Sequence, residues 1–343
     1  MVARDAGAAA ALAPVVAALD ADGVPRKIVA WGNAAAVFAG ETLAVRPFPE
    51  DPAPSEIGVL LASFPAAAVL TGTSLRADLD GRFWRAADKA GIPSVALLDH
   101  WKLYAERFSA ERPFDLLPTV VAVMDEVAER ALAERGCPSE RIRVTGQPRF
   151  DSLAALSVPA LRREARAQLG VKPSRRVVVF ASEPRGLPYD DGTGYTQADA
   201  LAALLDALAP DALVLVKLHP RERDASVPPG SRQEVRVLRD FPIHSLAAAA
   251  DIFCGMTSIA LLDAALLGVP TLSIRPGDGA DHFVDAHPDL IASATTPREI
   301  AAALETGLAA GASVPKPPAR GEAAGRVCAL LDELAQMAGI MRR

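Results

Sequence analysis

Cysteine is scarce in this chain: three residues in 343, Cys137, Cys254 and Cys328, with no Cys-x-x-Cys spacing. So sparse and odd a count excludes a disulfide framework, points to a reducing compartment and argues against a structural zinc site. Cys254 reads as inert packing at a strand end. Positive charge is also short, with 36 Lys and Arg against 42 Asp and Glu, a net charge of −6. A general nucleic-acid binder should show the opposite balance, so no nucleic-acid partner is expected. The pattern Gly-x-x-x-x-Gly-Lys-Ser/Thr is missing, which excludes a P-loop ATPase. Two Asp-x-Asp triplets, Asp20-Ala21-Asp22 and Asp78-Leu79-Asp80, stand outside any nucleotide-binding context and read as solvated turns, so no metal is expected. Long apolar runs are lacking. The run 58–70 is broken by Ser63 and Pro65 and is too short to span a bilayer. The Ala-rich start, 6–19, contains Pro14 and is flanked by Asp5, Asp20 and Asp22. It reads as an amphipathic helix rather than a signal peptide. The expectation is a soluble, cytoplasmic protein, with peripheral contact at the inner membrane face left open.

What is present is a large apolar fraction, 50%, in a chain long enough for two domains. Strand-like apolar runs alternate with helical patterns throughout, the signature of stacked βαβ units. Strands are expected at 1–3, 27–31, 67–71, 94–98, 119–123 and 141–145, then at 177–181, 212–217, 235–238, 252–254 and 271–274. Helices are expected at 8–19, 82–90, 125–135, 197–208, 244–249, 258–267, 297–309 and 321–338. The last follows the proline-rich run 315–318. The fold class is α/β, divided into residues 1–148, residues 149–320 and a C-terminal helix, 321–343.

Two stretches carry the chemistry. One reads Lys-Leu-His-Pro-Arg-Glu at 217–222, and the other Cys-Gly-Met-Thr-Ser-Ile-Ala-Leu-Leu-Asp-Ala-Ala-Leu-Leu-Gly-Val-Pro at 254–270. Each is an apolar strand ending in small, polar or charged residues, and carboxyl ends of parallel strands line the ligand crevice. Free N–H groups and the dipole at the start of the helix 258–267 favour a phosphate. Thr257 and Ser258 serve equally as an ordinary helix cap, and the two roles are compatible.

The pair His219-Pro220 with Thr257-Ser258 resembles the donor-phosphate motifs of CDP-glycerol glycerophosphotransferases and of bacterial sialyl- and polysialyltransferases. Asp263-Ala264-Ala265-Leu266-Leu267-Gly268-Val269-Pro270 resembles the acidic-Ala-x-x-x-Gly-x-Pro pattern of UDP-GlcNAc 2-epimerases and many GT-B transferases, with Asp where Glu is usual. Thr145-Gly146-Gln147-Pro148 resembles the interdomain junction of the same superfamily. The resemblance implies a GT-B enzyme, with two Rossmann-like doubly wound domains facing a central cleft. The first would bind a hydroxyl acceptor and the second a nucleotide-activated donor, with the last helix crossing back to the first domain. It implies transfer of a sugar or polyol-phosphate unit from a cytidine or uridine donor, in glycoconjugate or surface polysaccharide synthesis, with no cofactor or metal. A UDP-sugar 2-epimerase or hydrolase, and a non-catalytic sugar-nucleotide-binding protein, are the alternatives.

On that plan His219, Arg221, Thr257, Ser258 and Asp263 would hold the donor, with Asp263 on the ribose. Arg185 and Gly186, after the first strand of the second half, and Arg275, after its last expected strand, would meet the diphosphate. Asp99 or His100, with Asp5 next, would take the acceptor's proton. Gly7 would admit the acceptor close to the backbone, Trp101 and Tyr104 would stack on it or pack as loop core, and Thr73 would face it.

Overall fold

The computed structural model describes residues 1–40, 43–74, 79–108, 114–154, 156–184, 194–219, 221–225, 227–277, 281–310 and 322–339. Its elements run β1 (Val2–Ala3), α1 (Ala6–Ala21), β2 (Val29–Ala30), α2 (Gly32–Gly40), α3 (Pro54–Ala62), β3 (Val69–Thr71), α4 (Leu79–Lys89), β4 (Ser94–Leu97), β5 (Val120–Val123), α5 (Glu126–Glu134) and β6 (Ile142–Val144). They continue with α6 (Asp151–Ala154), α7 (Val158–Gln168), β7 (Val177–Ala181), α8 (Gln197–Ala207), β8 (Leu213–Lys217), β9 (Glu234–Leu238), α9 (Ile243–Ala249), β10 (Ile252–Gly255), α10 (Ala260–Leu266), β11 (Thr271–Ile274), α11 (His282–Asp285), β12 (Ala292–Ala294), α12 (Pro297–Ala310) and α13 (Ala323–Met337). Two compact units result: Met1–Ser152 with Arg320–Arg343, and Leu153–Ala319.

In the first unit six parallel strands lie in the order β2-β1-β3-β4-β5-β6. β4 and β5 are buried along their whole length, as parallel strands covered on both faces must be. One face packs Val95 and Leu97 against Leu12, Val15 and Val16 of α1 and Val327 and Leu331 of α13. The other packs Val69 against Trp31, Ile57 and Phe83. α13 is tied down at its start. Asp151 accepts from the N–H groups of Ala323 and Ala324 at 3.2 and 2.8 Å, and Arg326 Nε donates to Thr145 O at 2.7 Å. Gly146, at φ 87°, leaves room for this docking, since a Cβ there would stand 2.7 Å from Arg326 Nη2 and 3.0 Å from Ala323 Cβ.

In the second unit six parallel strands lie in the order β12-β11-β10-β7-β8-β9. Val178, Phe180, Val214, Val216, Cys254 and Leu272 form the strand side of the core. At the amino edge Asp251 binds Arg162 and Arg166 of α7 and accepts from Val177 N–H at 2.7 Å, which ties that helix to the sheet. Every expected strand is found. β12 was not expected, because Ala-Ser-Ala carries no β-branched or aromatic signal. α10 starts at Ala260, two residues later than expected. Among the described residues no helix is long and apolar enough to cross a membrane.

Candidate functional site

In an open parallel sheet the ligand crevice opens where strand order reverses, at the carboxyl ends. In the second unit that point lies between β7 and β10. Ser182 and Glu183 leave β7 there, and Met256 and Thr257 leave β10. Glu183 Oε2 accepts from Thr257 N–H at 3.1 Å and from its hydroxyl at 3.0 Å. The two Thr257 donors expected for a phosphate thus hold a carboxylate of the chain itself. Ser258 precedes the N-cap Ile259 of α10, and its Oγ accepts from Ala260 N–H at 3.3 Å. Glu183 was missed because a lone acid between Ser182 and Pro184 carries no motif.

His219 follows β8 on the same rim and is held in one state. Its Nδ1 accepts from Arg221 N–H at 3.2 Å, so in the neutral ring Nε2 carries the proton. Burial, then the nearby Arg221, holds its pKa below the ordinary histidine value, which favours that neutral ring. The turn beneath it is braced by Glu222, which accepts from His219 N–H at 2.8 Å and from Ser182 Oγ at 2.7 Å. Glu222 was also missed, although its place three residues after His219 is the one a turn-closing acceptor needs. Arg221 is exposed. Lys217 donates to the carbonyls of Leu218 and Arg239, a structural use.

Two expected donor residues have buried side chains. Arg275 is only 4% exposed and donates to Asp285 at 2.8 Å and to Ser293 Oγ, so its guanidinium is committed inside the unit rather than offered to a diphosphate. The Asp263 side chain is 1% exposed and sits 3.5 Å from His244 Nε2, so it offers no open carboxylate to a ribose. Arg185 and Gly186 lie outside the described residues. Cys254 is wholly buried and its thiol pKa is pushed up by that burial.

In the first unit strand order reverses between β1 and β3. Asp5 and Gly7 follow β1, Thr73 and Ser74 follow β3, and Asp99 and His100 follow β4. Arg107 joins two of these ends, its Nη1 donating to Thr73 O at 3.1 Å and to Asp99 Oδ1 at 2.5 Å. Thr73 Oγ1 donates to the same Asp99 oxygen at 3.4 Å. Asp99 Oδ2 lies over Gly7, where a Cβ would stand 2.3 Å away. Burial raises the Asp99 pKa, Arg107 opposes the rise, and Asp5 adds to it. His100 is pulled down to about 3, first by burial and then by Arg107, Lys102 and Arg149.

Asp80 corrects the solvated-turn reading of its triplet; Asp78 lies outside the described residues. Asp80 is 2% exposed in the first turn of α4. Its Oδ2 accepts from Ser74 N–H at 2.7 Å, while among the described residues Oδ1 has no hydrogen-bond partner. Burial pushes its pKa up to about 7, with Asp5 and Asp99 contributing. Trp101 and Tyr104 are buried rather than open to a sugar. Trp101 donates to Asp125 Oδ2 at 2.9 Å and stacks on Phe150 at 6.3 Å, and Arg135 lies 5.1 Å over the Tyr104 ring.

Residues 119–260 match the family model described as CDP-Glycerol:Poly(glycerophosphate) glycerophosphotransferase. The match runs from β5 to the start of α10 and includes His219, Thr257 and Ser258. No curated protein matches the chain in sequence. Solved structures match it almost end to end. UDP-GlcNAc 2-epimerase from Neisseria meningitidis, bound to UDP-GlcNAc, aligns with a TM-score of 0.65 at 14% identity, over 97% of this chain and 98% of that one. MurG from Acinetobacter baumannii aligns at 0.60 and 12%, over 97% and 99%. The fold is GT-B. The glycotransferase of kitacinnamycin extends the comparison, at 0.59 and 15% over 100% of this chain and 96% of that one. Within a GT-B chain, the β7/β10 reversal that Glu183 and Thr257 occupy and the β1/β3 reversal beside Asp99 are the places where ligand chemistry is to be sought.

Proposed function

We propose that this GT-B protein is a transferase that moves a sugar or a glycerol-phosphate-like unit from a nucleotide-activated donor to a hydroxyl acceptor. The observation that carries the reading is His219. The glycerophosphotransferase match covers it, and its ring is fixed with Nε2–H as the donating edge beside the β7/β10 reversal. A neutral imidazole donating one hydrogen bond suits a phosphate oxygen that gains charge as the nucleotide departs. Arg221, exposed two residues on, adds positive charge there. The donor is of cytidine type, with uridine the alternative, and no cofactor or metal takes part.

Asp99 is the proposed proton acceptor. Its Oδ1 is held by Arg107 and Thr73, which leaves Oδ2, over the bare Gly7, for the acceptor hydroxyl. A carboxylate raised by burial is a better base than an ordinary aspartate. His100, at about 3, is a poorer one. Asp5 tunes Asp99 by repulsion.

A second reading, a UDP-sugar 2-epimerase or hydrolase, draws on the acidic group Asp5, Asp80 and Asp99 and on the likeness of the fold to epimerases. Incubation with CDP-glycerol, a CMP-sugar and UDP-GlcNAc, each with and without a polyol or glycan acceptor, separates the two. Nucleotide released only when acceptor is present, and lost in Asp99→Asn, is the outcome expected for transfer. Turnover of UDP-GlcNAc without acceptor would replace the transferase reading by the second one.

A further inference from the structure

One peptide group links two buried carboxyls of the first unit. Arg107 Nη1 donates to Thr73 O at 3.1 Å and to Asp99 Oδ1 at 2.5 Å. Thr73 O belongs to the same peptide group as the N–H of Ser74, and Asp80 Oδ2 accepts from that N–H at 2.7 Å. Asp80 and Arg107 therefore hold opposite ends of the peptide 73–74, and the guanidinium carries the connection on to Asp99. Thr73, Ser74, Asp80, Asp99 and Arg107 are all buried.

The two carboxyls are unequally provided for. Asp99 faces a guanidinium, which stabilises its charged form. Asp80 has one N–H, and among the described residues its Oδ1 has no partner. A buried carboxylate with an oxygen left unpartnered sheds its charge by taking up a proton. The charged groups that act on Asp80 are Asp5 and Asp99, both acids, whereas Asp99 feels Arg107 as well as Asp5.

We propose that Asp80 is a positioning residue for Asp99: as a neutral acid it holds the peptide 73–74 against Arg107 and leaves the negative charge of the pair on Asp99. The inference rests on Asp99 as the proton acceptor proposed above. An ionised Asp80 places a second negative charge beside Asp99 and opposes its ionisation. The two groups therefore titrate together, Asp99 first and Asp80 at higher pH. Between the two steps Asp99 is charged and the peptide behind it is held by an uncharged acceptor.

Carboxyl-carbon NMR of the aspartates against pH tests this without donor or acceptor. The Asp99 signal is assigned by its loss in Asp99→Asn, and the Asp80 signal by its loss in Asp80→Asn. In the wild type the Asp99 signal is expected to move in two steps, its own and a smaller one as Asp80 ionises at about pH 7. In Asp80→Asn, which stays neutral and keeps an acceptor for Ser74 N–H, only the first step remains. In Asp80→Leu, which has no acceptor, the Asp99 signal is displaced even where Asp80 would be neutral. The asparagine variant covers the case of a poorly folded leucine variant. A single Asp99 step in the wild type, or Asp80 ionising before Asp99, would overturn the role of Asp80. Transfer retained in Asp99→Asn would instead remove Asp99 as the base and leave the coupling of the two carboxyls standing.

Discussion

Gly7 and Asp99 are in contact at a distance that admits no side chain on the glycine: a Cβ on Gly7 would stand 2.3 Å from Asp99 Oδ2. The start of α1 and the end of β4 are thereby fitted to each other around one carboxylate. That carboxylate is also held by Arg107 and Thr73. Replacing Gly7 by Ala must therefore move Asp99 or the helix start. We expect Gly7→Ala to cost about 1–3 kcal/mol, as overpacking does, and to lower turnover further than stability. Asp99→Ala leaves the buried Arg107 unpaired and costs stability by itself, but Gly7→Ala should cost less on that background, where the space is free, and activity is lost in both. Urea midpoints of wild type, the two single variants and the double variant check this, and equal stability of Gly7→Ala and wild type would refute the contact.

Asp80 should make the protein lose stability as pH rises. Its carboxyl titrates near 7 when folded against an ordinary value of 3.8. Between those values the folded protein binds the extra proton, so the stabilisation is present below about 4 and is lost progressively up to about 7. The full shift corresponds to a few kcal/mol, about 1.4 for each pH unit. His100 acts in the opposite direction at lower pH, because its folded value of about 3 lies below the ordinary 6.5. Asp80→Asn, which stays neutral, should be more stable than wild type at pH 8 and close to it at pH 4. Thermal melts at the two pH values measure the difference, and an unchanged difference between the variants would contradict the buried carboxylate.

Glu183 occupies the amide and hydroxyl of Thr257 at the strand-order reversal of the second unit. A phosphate using the same two donors must displace it against like charge. Glu183→Gln should therefore bind nucleotide diphosphates about tenfold more tightly, or about 1.4 kcal/mol, and nucleoside hardly at all differently. Weaker binding by the variant would assign Glu183 a supporting role instead.

Asp151 receives the first two N–H groups of α13. Its replacement by Ala should cost about 1–2 kcal/mol, the range for a lost helix cap. Limited proteolysis within α13 should then be faster than in wild type. Resistance equal to wild type would show that the apolar face of α13 holds it without the cap.

Much of the fold was legible because parallel strands buried on both faces read as short apolar runs, Val177 to Ala181 and Val120 to Val123 among them. β12 escaped for want of such a run. The site was half legible. The positions of His219, Thr257, Asp99 and Gly7 at strand ends and helix starts were legible because such ends have local signatures. Glu183, Glu222, His244 and Arg107 act on partners 74, 40, 19 and 34 residues away along the chain, and no local pattern announces such pairings. Asp80 was misread for the same reason. Its triplet resembles a solvated turn, and only the packing of α4 buries it. Arg275 and Asp263 have buried side chains that meet Asp285 and His244, pairings that no local pattern announces.

The central claim is that the second unit holds the phosphate of a nucleotide through His219. Titration of CMP, CDP, UMP and UDP into the wild type and into His219→Ala tests it directly. Measurable binding of at least one of the four is expected, weakened tenfold or more in the variant, a loss of at least about 1.4 kcal/mol. Equal affinity in the two proteins, or no binding of any nucleotide to the wild type, would contradict it.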